Sequence, residues 1–208
     1  MAETFVEMES DPGIRRATQK DIPHLTYFRL EAQDGINEAL FENLDISVEE
    51  IIDQEMNDSQ SFESYRNYWV TETEGRVSGG MQAFPFDLLD IQGYNPIIPK
   101  ERLYIEEAFE DLTAPGSYYI HALAVYPEFT RQGIASRLVN HARDLARENG
   151  FEELSLYCLE ENPGAVRLYE KYGFKSIGTR PMPAHPKIKH GGNILLMVTP
   201  TSGDIQVL

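Results

Sequence analysis

The sequence predicts a single mixed α/β domain, and three observations lead there. Runs rich in β-branched and aromatic residues alternate with stretches whose apolar residues recur every three to four positions. No segment repeats another, and no linker is long enough to divide residues 1–208 into two domains. A chain of 208 residues is also long enough to close one full hydrophobic core.

Taken in order, residues 14–17 read as a short strand. Thr18 and Asp21 have capping-box spacing and Pro23 suits a first turn, so a helix is expected to about Ala32. Residues 34–46 read as a loop or broken helix, and a second helix is expected over 48–56. Residues 67–72 and 76–84 are β-rich runs separated by Glu74-Gly75, which predicts a hairpin. Residues 85–116 hold four prolines and two glycines around a short helical stretch at 103–109, and are expected to form an insertion or lid.

Tyr118–Val125 is a strand of aromatic and aliphatic residues. Residues 132–149 are helical, with Ile134, Leu138, Ala142, Leu145 and Ala146 on one face and Asn149-Gly150 as the stop. A strand at 154–159, a helix at 163–172 and a strand at 174–179 follow. A loop carrying Pro181, Pro183 and Pro186 then leads to a last strand at 193–199.

The charge is lopsided. Against 18 Lys and Arg stand 34 Asp and Glu, a formal net charge of −16. Residues 31–74 carry 13 acids and one base, Arg66, and residues 85–114 carry 7 acids and 2 bases. From Ser117 onward the count is 9 acids and 10 bases, so this C-terminal part could tolerate an anion. Such a chain repels nucleic acid and leaves cationic partners open. No apolar run approaches the roughly 18 residues of a membrane span. The first ten residues carry three glutamates and no base, which reads as neither a secretory signal nor a transit peptide. Cys158 is the only cysteine, which fits a reducing cytoplasm.

The chemistry is concentrated in two segments. Arg131-Gln132-Gly133-Ile134-Ala135-Ser136 stands where a strand turns into a helix. Small residues there let the backbone approach a ligand, and the helix's first N–H groups suit phosphate oxygens. The spacing is neither a Walker loop nor a dinucleotide fingerprint, and a tight turn alone would explain it. The second segment, Asn162-Pro-Gly-Ala165-Val-Arg-Leu168-Tyr169-Glu-Lys-Tyr172-Gly173-Phe174, follows the next strand.

Together the two segments resemble the GNAT superfamily of acyl-CoA-dependent N-acetyltransferases, over about residues 117–180. The family's phosphate loop reads Arg/Gln-x-x-Gly-x-Gly/Ala, and Gly133 and Ala135 fill its small positions. Thr130 stands where the loop usually begins with Arg or Gln, one residue before Arg131. The resemblance implies a mostly antiparallel mixed central sheet with a splayed strand pair and flanking helices. It implies that Leu123, Ala124 and Val125 border the pantetheine arm of acetyl-CoA and that Asn162 reaches it. The N–H groups of Arg131, Gln132, Gly133, Ile134, Ala135 and Ser136 would then hold the pyrophosphate. No metal is implied.

Acetyl transfer to an amine needs a proton acceptor for the amine and an acid for the departing thiolate. Tyr169 occupies the family's acid position, although Ala165, Leu168, Tyr169 and Tyr172 are also spaced as a core-facing stripe. Family members often place a base on the strand before Val125, at positions filled here by His121 and Tyr119. Alternation puts both on the face of Leu123 and Val125. A histidine titrates near neutral pH, and a hydrogen-bonded structural histidine is the plainer alternative. Cys158 reads as a buried thiol, Trp69 as core, and His185 and His190 as loop residues without metal-ligand company.

The leading expectation is therefore an N-acetyltransferase in which a bound amine attacks acetyl-CoA directly in a ternary complex. The acidic segments favour a small cationic amine as acceptor. A protein amino group, or a non-catalytic acyl-CoA-binding or regulatory module on the same fold, are the alternatives; a homodimer stays open.

Overall fold

The computed structural model describes residues 13–89 and 95–202; the N-terminal stretch read for a leader and part of the 85–116 segment lie outside them. The strands are β1 (Ile14–Arg16), β2 (Tyr68–Thr73), β3 (Arg76–Pro85), β4 (Tyr118–Val125), β5 (Glu153–Leu159), β6 (Lys175–Pro181) and β7 (Asn193–Pro200). They form one sheet in the order β1-β2-β3-β4-β5-β7-β6. Every neighbouring pair is antiparallel except β4 with β5.

The helices are α1 (Ile22–Ala32), α2 (Ile36–Leu40), α3 (Val48–Asn57), α4 (Leu103–Glu107), α5 (Ile134–Glu148) and α6 (Pro163–Lys171). The expected capping box is present, but it closes a single 3-10 turn at Gln19–Asp21 that leads into α1. Thr18 donates to Asp21 Oδ2 from both its backbone N and its Oγ1, each at 2.8 Å. Ser47 and Glu50 cap α3 reciprocally. Within the stretch read as a loop or broken helix lies the short α2.

Helices cover both faces. On one, Leu138, Val139 and Ala142 of α5 and Tyr169 of α6 pack with Met81, Ile120 and Leu156 of the sheet. On the other, Leu25 and Phe28 of α1 and Ile52 and Met56 of α3 meet Tyr68 and Val70. A third cluster joins α2 to Phe86, Ile98, Ile105 and Leu112 of the 85–116 segment, over Tyr119, Leu159 and Leu196. Gly35, at φ 89°, starts α2, and a Cβ there would meet Lys187 O at 1.9 Å, so the turn after α1 sits tight on the loop before β7.

Two irregularities in β4 decide what the sheet can do. Tyr118, Tyr119 and Ile120 pair with Leu154, Ser155 and Leu156, and there the β4–β5 pairing ends although both strands continue. This is the splayed pair. The second irregularity is a bulge: Gln82 of β3 pairs with Ala122 and Ala83 with Ile120, which leaves His121 as the extra residue. Simple alternation is corrected here. Tyr119 stays on the α1–α2 side, where His121 meets Phe62 and Phe84, whereas Leu123 and Val125 pack on the α5 side with Ile120.

Candidate active site

A cavity of about 350 Å³ lies where β4 and β5 part, walled by Tyr119, His121 and Leu123 on one strand and Tyr157, Cys158 and Leu159 on the other. Asn162 and Tyr169 of the second motif complete that wall, so five of the expected residues meet in one space. Ala124, Val125, Arg131, Gln132, Gly133, Ile134, Ala135 and Ser136 do not line it.

Those loop residues lie beyond β4, at the entrance to α5. Thr130, Arg131, Gln132 and Gly133 are exposed, while the Ile134 side chain is buried in the core. Arg131 has φ 60° and Gly133, the N-cap of α5, has φ 80°. A Cβ on Gly133 would meet nothing within 4 Å, so the left-handed backbone alone calls for glycine. The first turn of α5, a helix of 15 residues, leaves N–H groups without intrahelical acceptors at the positive end of its dipole.

His121 is held by side chains from four parts of the chain. Its Nε2 lies 3.2 Å from Glu63 Oε1 and 3.2 Å from Gln33 Nε2, and its ring packs against Phe62, Phe84 and Tyr119. Its Nδ1 is buried and has no hydrogen-bond partner among the described residues. Behind Glu63 stands Arg29 of α1, with Nη2 3.3 Å from Glu63 Oε1 and Nη1 2.6 Å from Glu55 Oε2 of α3. Arg29 and Glu63 are each only 5% exposed. Burial opposes the charge on Glu63, yet Arg29 and then His121 hold its carboxyl down at about 2, so it is ionised near neutrality.

Around this pair the site is apolar and acidic. Burial pushes the Tyr169 phenol up, with Cys158 and Asp34 adding to it, and Tyr119 is likewise raised by burial. The Cys158 thiol is pushed up to about 12, again by burial first. Asn162 caps α6 through its side-chain Oδ1, which accepts from Ala165 N at 3.1 Å, and its Nδ2 donates to Asp34 Oδ2 at 3.2 Å. Among the described residues, Glu31, Asp34, Glu63, Glu106 and Glu110 face the cavity against a single arginine, Arg29. Burial, aided by Glu63, raises the Glu106 carboxyl although His121 works against it, and among the described residues it has no ion pair.

Sequence reasoning missed Glu63, Arg29, Gln33, Asp34 and Glu106. One signal was available: Arg29 falls in the same helical stripe as Ile22 and Leu25, which a solvated cation would avoid. Glu63 sits in a polar loop that nothing in the local pattern distinguishes from solvent-facing chain.

Residues 34–174 match the model of the acetyltransferase (GNAT) family. The chain belongs to that family. This GNAT chain is 31% identical over 111 residues to N-acetyltransferase 8 of Homo sapiens, covering 53% of this chain and 39% of that protein. It is 42% identical over 62 residues to GCN5-related N-acetyltransferase 4, chloroplastic, of Arabidopsis thaliana, covering 30% of this chain and 21% of the relative. The chain thus spans less than half the length of either curated relative. An N-acetyltransferase from Staphylococcus aureus Mu50 shares the GNAT fold at TM-score 0.67 and 22% identity, covering 89% of this chain and 99% of that one. The ribosomal-protein-S18-alanine N-acetyltransferase from Escherichia coli does so at TM-score 0.55 and 17% identity, covering 94% and 97%. Among the described residues, no helix is long and apolar enough to cross a membrane, and no three His, Cys, Asp or Glu side chains gather as metal ligands would.

Proposed function

We propose that this GNAT chain transfers an acetyl group from acetyl-CoA to the nitrogen of a small cationic amine by direct attack. The observation that carries the reading is the fork between β4 and β5, whose cavity holds His121 and Tyr169 together. Beyond Ile120 and Leu156 the two strands no longer pair, which leaves Leu123, Ala124 and Val125 available to an extended acyl-pantetheine arm. The N–H groups of residues 131–136 suit its pyrophosphate, and Asn162, already tied to Asp34, stands at the cavity wall.

The chemistry follows from the two side chains. The amine nitrogen, once neutral, attacks the thioester carbonyl carbon; the C–N bond forms as the C–S bond breaks. His121 takes the proton that the cationic amine gives up before attack, Tyr169 gives its hydroxyl proton to the departing thiolate, and the second amine proton, shed as the amide forms, restores the phenol through solvent. A phenol raised by burial is protonated near neutrality, as a proton donor has to be. Tyr119, boxed in by Phe84, Phe86 and Tyr157, shapes the site beside the base. Cys158 has a thiol held at about 12, which favours direct attack over a thioester on the enzyme.

The acceptor is read from the walls. Carboxylates outnumber cations there, and Phe62, Phe86, Phe109 and Tyr157 supply apolar surface for the body of a small molecule. Thiol release from acetyl-CoA should be measured over a panel of small amines and amino-terminal peptides. Saturable turnover with a cationic small amine is expected. Turnover confined to peptides would replace the acceptor, and binding without any release would replace the enzyme with an acyl-CoA-binding module.

A further inference from the structure

Resting on that reading, we propose that Glu63 is the positioning residue of the base: it fixes His121 as the Nε2–H tautomer and leaves the accepting lone pair on Nδ1, which is closed off in this structure and has to be uncovered when the acceptor binds. The geometry offers two choices at Nε2. Its neighbours are Glu63 Oε1 and Gln33 Nε2, both at 3.2 Å, and a single ring nitrogen cannot donate to one while accepting from the other. A lone pair on Nε2 would face a carboxylate, which is repulsive, whereas an N–H there makes a charge-assisted hydrogen bond. Gln33 has another acceptor for its amide, since Nε2 also donates to the His121 carbonyl at 3.3 Å. The carboxylate therefore decides the tautomer, and the lone pair is left on Nδ1.

Arg29 makes this arrangement durable. Its guanidinium bridges Glu63 and Glu55, so the carboxylate facing the imidazole keeps its charge inside the protein. The chain from Glu55 through Arg29 and Glu63 to His121 is sealed on α1, α3 and the loop before β2, not on mobile surface side chains. When the ring becomes imidazolium, Glu63 faces a full positive charge at contact distance, and the proton transfer is stabilised where it occurs. The other titratable groups facing His121 are Tyr119 on its own strand and Glu106 of α4. Neither is within hydrogen-bonding distance of the ring nitrogens.

Nitrogen-15 NMR of histidine-labelled protein tests the tautomer without any turnover, with the signal assigned by its loss in His121→Ala. Neutral His121 protonated at Nε2 is expected, and Glu63→Gln should mix the two tautomers. Protonation at Nδ1 in the unsubstituted protein would overturn the proposal. In kinetics, Glu63→Gln should lower kcat by about a hundredfold with acceptor KM within about twofold, and Glu63→Asp should recover part of the loss. An unchanged kcat in Glu63→Gln would overturn the positioning role. The two readings fail differently. Full turnover in His121→Ala removes the base itself and Glu63's role with it, whereas an inactive His121→Ala beside an Nδ1–H ring removes the role of Glu63 alone.

Discussion

Asp34 Oδ1 lies 2.8 Å from His190 Nδ1, joining the turn after α1 to the loop before β7. The same residue accepts from Asn162 with its other carboxylate oxygen and from Lys189 N, at 2.8 Å, with its carbonyl. Three separated segments are thus tied at one edge of the cavity.

Asp34→Asn keeps the φ of 53° accessible, because Asn tolerates the left-handed region, while removing the charge. Loss of a charged hydrogen bond costs about 1.5 kcal/mol, equivalent to roughly tenfold. Amide exchange at Lys189 should therefore quicken by about that factor, measured by hydrogen–deuterium exchange. Unchanged protection would show that Gly35 packing alone holds the loop.

Glu106→Gln should raise KM for a cationic acceptor about tenfold while leaving kcat nearly unchanged, since it removes a ground-state attraction. The pH dependence has a definite sign. Glu106 titrates above the usual carboxylate range, so on acidification the unsubstituted enzyme loses acceptor affinity sooner than an ordinary carboxylate would allow. That acid-side loss should vanish in the variant. Added salt should also raise KM; a salt-independent KM would leave the acidic residues to solubility alone.

Tyr169→Phe should lower kcat by about a hundredfold and leave acetyl-CoA binding intact. The ring keeps its edge contact with Phe174, 5.6 Å between centroids, so thermal unfolding should barely move. Rapid-quench measurement of the transfer step separates this outcome from slow product release. A variant with full kcat would return Tyr169 to the core stripe that its spacing also suits.

Asp21 makes a separate prediction about stability. Burial works against its charge, but Arg15 and Thr18 hold its carboxyl down at about 2, with Arg15 Nη1 at 2.8 Å from Oδ2. A group depressed in the folded state stabilises the protein above its unfolded pKa, about 3.9 for Asp, and that contribution disappears as pH falls towards 2. Asp21→Asn should lower stability by about 1 kcal/mol near neutrality and flatten this part of the denaturation profile. Urea unfolding at pH 7 and pH 3 checks both.

How much of this was legible depended on the range of the interaction. The β-rich hairpin could be read because Glu74 and Gly75, at φ 52° and 73°, need only their local backbone preference. The helix from Ile134 to Glu148 follows from a periodic face, and the loop before it from Gly133. The splayed strands were expected only through the family resemblance, since nothing inside β4 or β5 announces where their pairing ends. The bulge escaped because alternation presumes an unbroken register, and a single extra residue reverses every later position. Glu63 escaped for a related reason: its partner Arg29 is 34 positions away, and only the packed fold makes either residue exceptional.

The bulge has a consequence for engineering. Ile120 and Ala122 already pair with adjacent residues of β3, so the ladder runs past His121 without using it. A chain shortened by that one residue would have an uninterrupted β3–β4 pairing and a more regular sheet. Selection for heat tolerance alone would therefore be drawn towards discarding the side chain that the proposed transfer needs. Stability and turnover compete here over one position, and a library screened for folding should be counter-screened for activity.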